Sequence, residues 1–384
     1  MVYKLGDLVE QVTETNFNLK YGLDNIVGVT IEKEMIPTIA NLTQTNLAKF
    51  IVVKPFDFVY NPRTHGKKIG LGYNTTNRYY ITTWNNNIFH VKESMKNIVL
   101  PDYLYMYFKR DRWDKEACFN AWGSSTVVLL WSSFCEMKIN LPSIEEQRKI
   151  VHDYKVVTDR IELLKKINDN LAEIEQAILV KSLSENSTSP ATLGELVEFI
   201  DGDRGKNYPT FDEFTSSGYC LFLNASNVTA SGFNFDTCMF VTEEKDKEMN
   251  NGHLSPFDIV LTSRGTLGNL ALYDSHIRYK NVRINSGMLI IRPKSNRLSP
   301  YFIYGLLKSN YMKIAIEQFR SGSAQPQLPI KDLQKISFEI PNSDELISVL
   351  NRQFVSIEEQ ISVNKSEIDN LKELSNVILA ELSC

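Results

Sequence analysis

The chain repeats itself once, and this limits the folds open to it more than any other feature. Leu5-Gly6-Asp7-Leu8-Val9-Glu10 returns as Leu193-Gly194-Glu195-Leu196-Val197-Glu198, an offset of 188. Pro55-Phe56-Asp57-Phe58-Val59 returns as Pro256-Phe257-Asp258-Ile259-Val260 at 201, and Gly123-Ser124-Ser125 as Gly322-Ser323-Ala324 at 199. Ile139-Asn140-Leu141-Pro142 returns as Phe338-Glu339-Ile340-Pro341 at 199. Asn170-Leu171 and Ile178-Leu179 return as Asn370-Leu371 and Ile378-Leu379 at 200. Each match alone is at the level of chance. Five in one order at nearly constant offset mark two copies of one unit of about 190–200 residues. A solenoid is excluded, because its repeats run only roughly 20–45 residues.

Each copy has two parts. The first mixes short β-rich runs with turn residues, as in Lys49–Tyr60, Tyr79–Thr83, Ile88–Val91, Ile259–Ser263 and Gly287–Arg292. Helical patches follow at Pro101–Arg112 and Ser299–Phe319. The second part is one long helix. Ile150, Tyr154, Val157, Ile161, Leu164, Asn168, Leu171, Glu175 and Ile178 step alternately by 4 and 3. Leu350, Phe354, Ile357, Ile361, Asn364, Ile368, Leu371, Leu374 and Ile378 nearly do the same. A mostly apolar period of about 3.5 is a coiled-coil seam, and neither stretch holds Gly or Pro. Ser143 with Glu146, and Asn342 with Glu345, have the spacing of capping boxes at the helix starts. Ser182–Pro190 has the composition of a linker.

The expected fold class is therefore α+β: two globular domains joined by two long antiparallel coiled-coil helices. The domains would span 1–143 and 187–341, and the helices 144–186 and 342–384. Each helix has one apolar seam and needs a partner. Either the two pack together, or each pairs with another chain. Asn168 and Asn364 on the seams would fix register or mark partial exposure.

Other features narrow the class. No apolar run approaches the ~20 residues that cross a bilayer, and the first residues lack a signal-peptide pattern. The five cysteines (118, 135, 220, 238 and 384) show neither a CxxC pair nor zinc spacing. The expectation is a cytoplasmic protein with free thiols, no metal and no membrane partner.

The net charge of −4 argues against nucleic acid until it is divided. Residues 144–185 carry 7 basic and 9 acidic side chains, and 343–384 carry 3 and 8, a joint net of −7. The remainder is +3. Residues 58–92 and 275–316 contain no Asp or Glu. Arg, Lys, Asn and Tyr are frequent in both stretches, and these types contact phosphates and base edges.

Catalytic patterns are missing. No GxxxxGK[ST], HExxH or dinucleotide-binding glycine loop occurs, and the five histidines (65, 90, 152, 253, 276) are scattered. Glu243-Glu244-Lys245 with Asp236 only faintly suggests a metal nuclease set and reads better as a charged loop.

Leu141-Pro142-Ser143-Ile144-Glu145-Glu146-Gln147-Arg148-Lys149-Ile150 resembles the domain-to-helix junction of type I restriction–modification specificity subunits. The Leu-Gly-Asp/Glu-Leu-Val openings and Phe338-Glu339-Ile340-Pro341 resemble that family too. The second junction departs from it, with Asp344-Glu345-Leu346 where the family often has Glu-Gln. The resemblance implies a non-catalytic subunit with two target recognition domains, each reading one half of a bipartite, asymmetric site on double-stranded DNA. The helices would set the spacer and dock two methyltransferase subunits, and restriction subunits would join them. No cofactor is expected in this chain: S-adenosylmethionine, ATP and Mg2+ would belong to the partners.

The candidate DNA contacts come from the acid-free runs and the Gly-Ser segments. They are Arg63, Lys67, Lys68, Asn77, Arg78, Tyr80 and Ser124 in the first domain. In the second they are Arg264, Arg278, Lys280, Arg283, Arg320, Ser323 and Gln325. The rival is a non-DNA coiled-coil scaffold whose domains bind protein or glycan. It requires no salt-dependent DNA affinity, whereas a DNA reader loses affinity steeply with salt.

Overall fold

The computed structural model describes residues 1–38, 42, 45–65, 67–123, 127–320 and 327–382. Two compact units form: Met1–Glu162 with Asp369–Cys384, and Leu163–Ile368. Each therefore contains a stretch of both long helices.

The first unit is built on an antiparallel sheet of β1 (Val9–Val12), β2 (Phe58–His65), β3 (Lys68–Tyr73) and β4 (Asn87–Val91), in the order β1–β4–β2–β3. Its core is aromatic. Phe58 stacks on Phe89 at 5.0 Å between centroids, and Tyr60, Phe108, Trp113 and Phe134 are fully buried around them. Rings of this size supply most of the apolar area a small domain can remove from water. Helix α1 (Pro101–Phe108), with Pro at its first position, covers the sheet.

A long helix, α2 (Ile144–Glu185), follows and runs unbroken for 42 residues, about 63 Å at 1.5 Å each. Ser143 caps it as its spacing suggests. Glu146 accepts from the Ser143 backbone N–H at 2.9 Å, and the Glu146 N–H donates to Ser143 Oγ at 3.3 Å. The Ser143 N–H and the Ser143 hydroxyl, which donates to the same carboxylate oxygen at 2.8 Å, hold the Glu146 carboxyl below its ordinary range.

The second unit repeats the sheet. Its strands are β5 (Val197–Asp201), β6 (Ile259–Thr262), β7 (Leu270–Leu272) and β8 (Met288–Pro293), in the order β5–β8–β6–β7, again antiparallel. Helix α3 (Pro300–Lys308) takes the place of α1 over a core richer in Leu and Ile. The second long helix is α4 (Asp344–Glu381).

The repeated Pro-Phe-Asp segments form the same turn. Asp57 donates its N–H to the Lys54 carbonyl, and Asp258 to that of Ser255, both at 3.1 Å. Phe56 and Phe257 both take φ +68°, the left-handed position that a Pro-x turn of this type demands. A non-glycine residue there costs about 1–2 kcal/mol, so the turn must be held. Asp57 Oδ2 accepts from Lys54 N, and Asp258 Oδ2 from Ser255 N, both at 2.7 Å. Both carboxylates are buried and face a basic side chain: His90 at 3.4 Å in the first unit, Arg292 at 2.7 Å in the second. His90 is thus the counterpart of a structural arginine.

The structure fills in some local expectations and corrects others. The β-rich run Lys49–Tyr60 holds Ile51–Val53 and the start of β2, with this turn between them. Each helical patch is two helices. Arg110 takes extended backbone between α1 and Asp111–Phe119, and Ser309 does so between α3 and Asn310–Arg320. The second long helix starts one residue late. Ser343, not Asn342, is its cap, accepting the Leu346 N–H at 3.2 Å. Asn342 instead donates to Ser187 Oγ. The linker is short, since α2 runs to Glu185 and Thr188–Thr192 pairs as a strand with Ser337–Pro341.

The departure at the second junction has a physical counterpart. Gln147, fully buried, accepts the Leu100 N–H at 2.9 Å and donates to the Ile98 and Pro142 carbonyls at 2.8 and 3.1 Å. It thereby fastens the first turn of α1 to the first turn of α2. In the second unit Ile347 occupies the equivalent helical position. The clamp moves on one turn to Asn351, which accepts the Ser299 N–H and donates to the Arg297 carbonyl, both at 2.9 Å.

Within the second unit the helix stretches run antiparallel. Asn364 Nδ2 donates to Asn168 Oδ1 at 2.7 Å, and Gln360 Nε2 donates to Asn364 Oδ1 at 2.9 Å. Ten residues or fewer along the pair, Lys308 of α3 lies between Glu175 Oε2, at 2.5 Å, and Glu358. The seam residues Leu164, Leu350, Phe354, Ile361 and Ile368 are buried.

Candidate nucleic-acid interface

The turns that close β2 onto β3 and β6 onto β7, and the loops that leave β3 and β7, place the basic side chains. In the first unit, Asn74 organises the loop that leaves β3. Its Nδ2 donates to the Lys54 and Arg78 carbonyls at 2.9 and 2.8 Å, and its Oδ1 accepts the Thr76 N–H at 3.1 Å. This leaves Asn77 and Arg78 exposed on a backbone that is itself tied down. Tyr80, half-buried, begins the strand Tyr80–Thr82, and its hydroxyl lies 3.5 Å from Thr76 Oγ1. Tyr79 stacks on Tyr21 with centroids 5.8 Å apart and planes 6° from parallel. The Lys20 ammonium lies 5.4 and 5.9 Å from these two rings.

The other first-domain candidates lie on a different segment. Arg63 is exposed on β2, Lys67 sits in the following turn at φ +68°, and Lys68 opens β3 with its ammonium 3.8 Å from Asp111. They share a hairpin with one another and not with the Asn77–Arg78 loop. Ser124 lies outside the described residues.

In the second unit, Arg278 and Lys280 are exposed on the loop after β7. Arg278 donates to Tyr279 Oη at 2.7 Å, and its guanidinium carbon lies 4.9 Å from the ring centre. Arg264 is half-buried beyond β6, with its backbone N–H on the Gly287 carbonyl at 3.1 Å. Arg320 ends the helix Asn310–Arg320, and its side chain, like Ser323 and Gln325, lies outside the described residues.

Arg283 is a correction. It stands on the strand Val282–Ile284 and is only 4% exposed. Its Nε donates to Asp246 Oδ1 at 2.7 Å, its Nη1 to the Asn251 carbonyl at 2.5 Å and its Nη2 to the Asp246 carbonyl at 2.8 Å. A guanidinium spent on an internal carboxylate cannot reach a phosphate. The acid-free run hid this because the partner lies 37 residues upstream.

Cys220, Asp246 and His253 bring donor atoms within 4.8 Å of one another, a spacing that could suit a metal. Arg283 already supplies the cation to this cluster, and burial pushes the Cys220 thiol up, away from the thiolate that binds metals. The residues present fit an arginine-centred lock better than a metal. Glu243-Glu244-Lys245 opens a short helix, Glu243–Glu248, capped by Thr242 and laced by Glu243–Lys247 and Lys245–Glu213 pairs.

The long helices also carry apolar side chains off the seam. Val156 and Val377 are exposed in the first unit, and Leu163, Val180 and Val363 in the second. Among the described residues no helix is long and apolar enough to cross a membrane.

The comparisons with known proteins fall on both halves of the repeat. The family model for the type I restriction modification DNA specificity domain matches residues 1–173 and again 188–379. The type I restriction enzyme MjaVIII specificity subunit of Methanocaldococcus jannaschii is 24% identical over 315 residues, covering 75% of this chain and 71% of that protein. The MjaIX specificity subunit of the same organism is 22% identical over 307 residues, covering 75% and 69%. The crystal structure of a type I restriction–modification S subunit from M. genitalium shares the fold at a TM-score of 0.56 and 18% identity, covering 100% of this chain and 95% of that one. With the family's domain matched twice over nearly the whole length, the chain belongs to the type I restriction–modification specificity subunits.

Proposed function

We propose that this chain is the sequence-specific DNA-recognition subunit of a cytoplasmic type I restriction–modification complex. Specificity subunits are the non-catalytic members of such systems, so methyl transfer and cleavage are assigned to partners. Each domain reads one half of a bipartite, asymmetric site on double-stranded DNA. The helices set the spacer and dock two methyltransferase subunits, and restriction subunits complete the assembly. S-adenosylmethionine, ATP and Mg2+ act on those partners.

The observation that carries this reading is the doubled match to a DNA specificity domain on a chain whose two units each expose an arginine next to a tyrosine, Arg78 and Arg278, on the loop after the hairpin. An unbroken helix of 42 residues, about 63 Å, exceeds one DNA turn of about 34 Å, long enough to suit separated half-sites. The exposed valines and leucine off the seam suit a protein partner. The test is a map of methylated adenines in cells with and without this chain. Loss of one bipartite methylated sequence on deletion is expected, and an unchanged map rejects the function. Lengthening both helices by matched heptads should lengthen the spacer in that sequence.

A further inference from the structure

We propose that Arg78–Tyr79 and Arg278–Tyr279 are equivalent grips on the phosphodiester backbone of duplex DNA, fixing position without reading sequence. The inference rests on the DNA-reading function above and adds which contacts carry no sequence information.

The two pairs are 200 residues apart in the chain and occupy the same place in the repeat. Each follows the hairpin strand anchored to the Pro-Phe-Asp turn. Phe56 donates to the Asn74 carbonyl at 2.9 Å, and Phe257 to the Tyr273 carbonyl at 2.7 Å. From that anchor the second loop is one residue longer, yet the Arg-Tyr pair is kept. The residues between are not kept: Thr75-Thr76-Asn77 in one loop stands against Asp274-Ser275-His276-Ile277 in the other. The strands that follow are framed alike in both units: antiparallel to Ile51–Val53 in the first and to the segment around His253 in the second, and parallel to Ile26 in the first and to Cys220–Leu223 in the second. Within that shared frame the loop residues diverge while the Arg-Tyr pair is kept.

Chemistry separates the two kinds of residue. Domains that read different half-sites need different side chains at base edges, because each base pair offers its own donors and acceptors. A phosphate offers the same oxygens at every step, and Arg, Lys and Tyr are its usual ligands. The side chains alike in both units thus suit phosphate, and those that differ suit bases. The surroundings agree. Among the described residues Arg78 is exposed with no ion-pair partner, beside the Lys20 ammonium and the stacked Tyr21 and Tyr79. Arg278 lies on its own tyrosine ring with Lys280 and His276 exposed nearby. Glu14 is paired with Lys54 at 2.6 Å, Asp57 is bonded within its turn, and Asp274 accepts from Ser362.

The test uses the chain assembled with its methyltransferase subunits. Binding is measured across a salt series on two linear duplexes, one with the methylated sequence and one unrelated. For Arg78→Ala with Arg278→Ala, the slope of log affinity against log salt should flatten by about 1.8, at about 0.9 per lost contact. Affinity should fall by the same factor on both duplexes, and the methylated sequence should stay the same. Arg78→Lys with Arg278→Lys should keep most of the slope, since lysine serves a phosphate as a point charge but not a bidentate base contact. An unchanged slope in the alanine variant overturns the grips, and so does a loss confined to the specific duplex or a changed methylated sequence. If the unaltered complex shows no salt-dependent binding to either duplex, the DNA-reading function itself fails.

Discussion

Asn351 accepts the backbone N–H of Ser299 at 2.9 Å and so does for the second unit what Gln147 does for the first. The two clamps differ in residue type and by one helical turn, yet both tie the start of the long helix to the start of the helix covering the sheet. A buried amide that serves three backbone groups leaves orphans when it is removed. Gln147→Ala should cost about 1–3 kcal/mol for each group left without water. Urea denaturation of the full chain should show a lower midpoint for the first unit. Gln147→Ile, which copies the residue type at Ile347, should not recover it, because the second unit relies on Asn351. Wild-type stability in either variant would show that the clamp is dispensable.

Arg283 belongs to the interior, and its replacement should behave accordingly. Arg283→Ala leaves the Asp246 carboxylate buried without its cation, a loss of about 3–5 kcal/mol for pairs of this kind. Thermal unfolding should report a destabilised second unit. The salt slope for DNA binding, per folded molecule, should match the parent. A stable variant with a flatter slope would return Arg283 to the surface role that its basic sequence neighbourhood suggests.

The Asn168–Asn364 contact is an amide pair in a mostly apolar seam of the second unit. A single Asn364→Leu leaves Asn168 facing a leucine and also removes the acceptor for Gln360. It should destabilise by about 1–2 kcal/mol. Replacing both asparagines by leucine should recover the loss or exceed it, while loosening register, as buried asparagines in coiled coils do. A double-mutant cycle measures the coupling, and additive effects would mean that the two side chains do not cooperate.

What could be read from the chain follows from what is local in it. The seam is local: Ile150 to Ile178 repeats within seven residues, so both helices are visible without any tertiary knowledge. The Ser143–Glu146 box is local as well. At the second junction the box spacing points to Asn342 with Glu345, and only the helical register, which places Ile347 N–H on the Ser343 carbonyl at 3.0 Å, makes Ser343 the cap. The breaks at Arg110 and Ser309 were hidden, because neither residue is a Gly or Pro and each bends where a buried contact rewards it. The site was legible in outline only. Exposure of Arg78 and Arg278 agrees with the acid-free runs, whereas the burial of Arg283 depends on Asp246, which no window around residue 283 contains. Lys20 and Tyr21 were missed because they stack on Tyr79 from 58 residues away. The only signal for them was a Lys-Tyr dipeptide.

Glu175 gives the second unit a pH dependence that can be worked out in sign. Its carboxyl is pushed up to about 8, first by burial, with Glu358 adding to the rise and Lys308 opposing it. The groups that face it are Lys308 and Tyr304 of α3 and Glu358 of α4. Its folded value lies above the ordinary 4.5, so between about 4.5 and 8 the folded chain holds a proton that the unfolded chain has released. Stability then falls as pH rises through that window, by up to about 1.4 kcal/mol per unit for one proton, and levels off above it. Lys308 stays charged throughout, since the two carboxylates hold its ammonium above the ordinary range. Amide exchange in α3 and the neighbouring stretch of α4 should speed up from pH 5 to 8 beyond the intrinsic base catalysis. Glu175→Gln, which keeps the shape and removes the titration, should flatten that excess. If the glutamine variant follows the parent curve across the window, the buried carboxyl is not what couples this unit to pH.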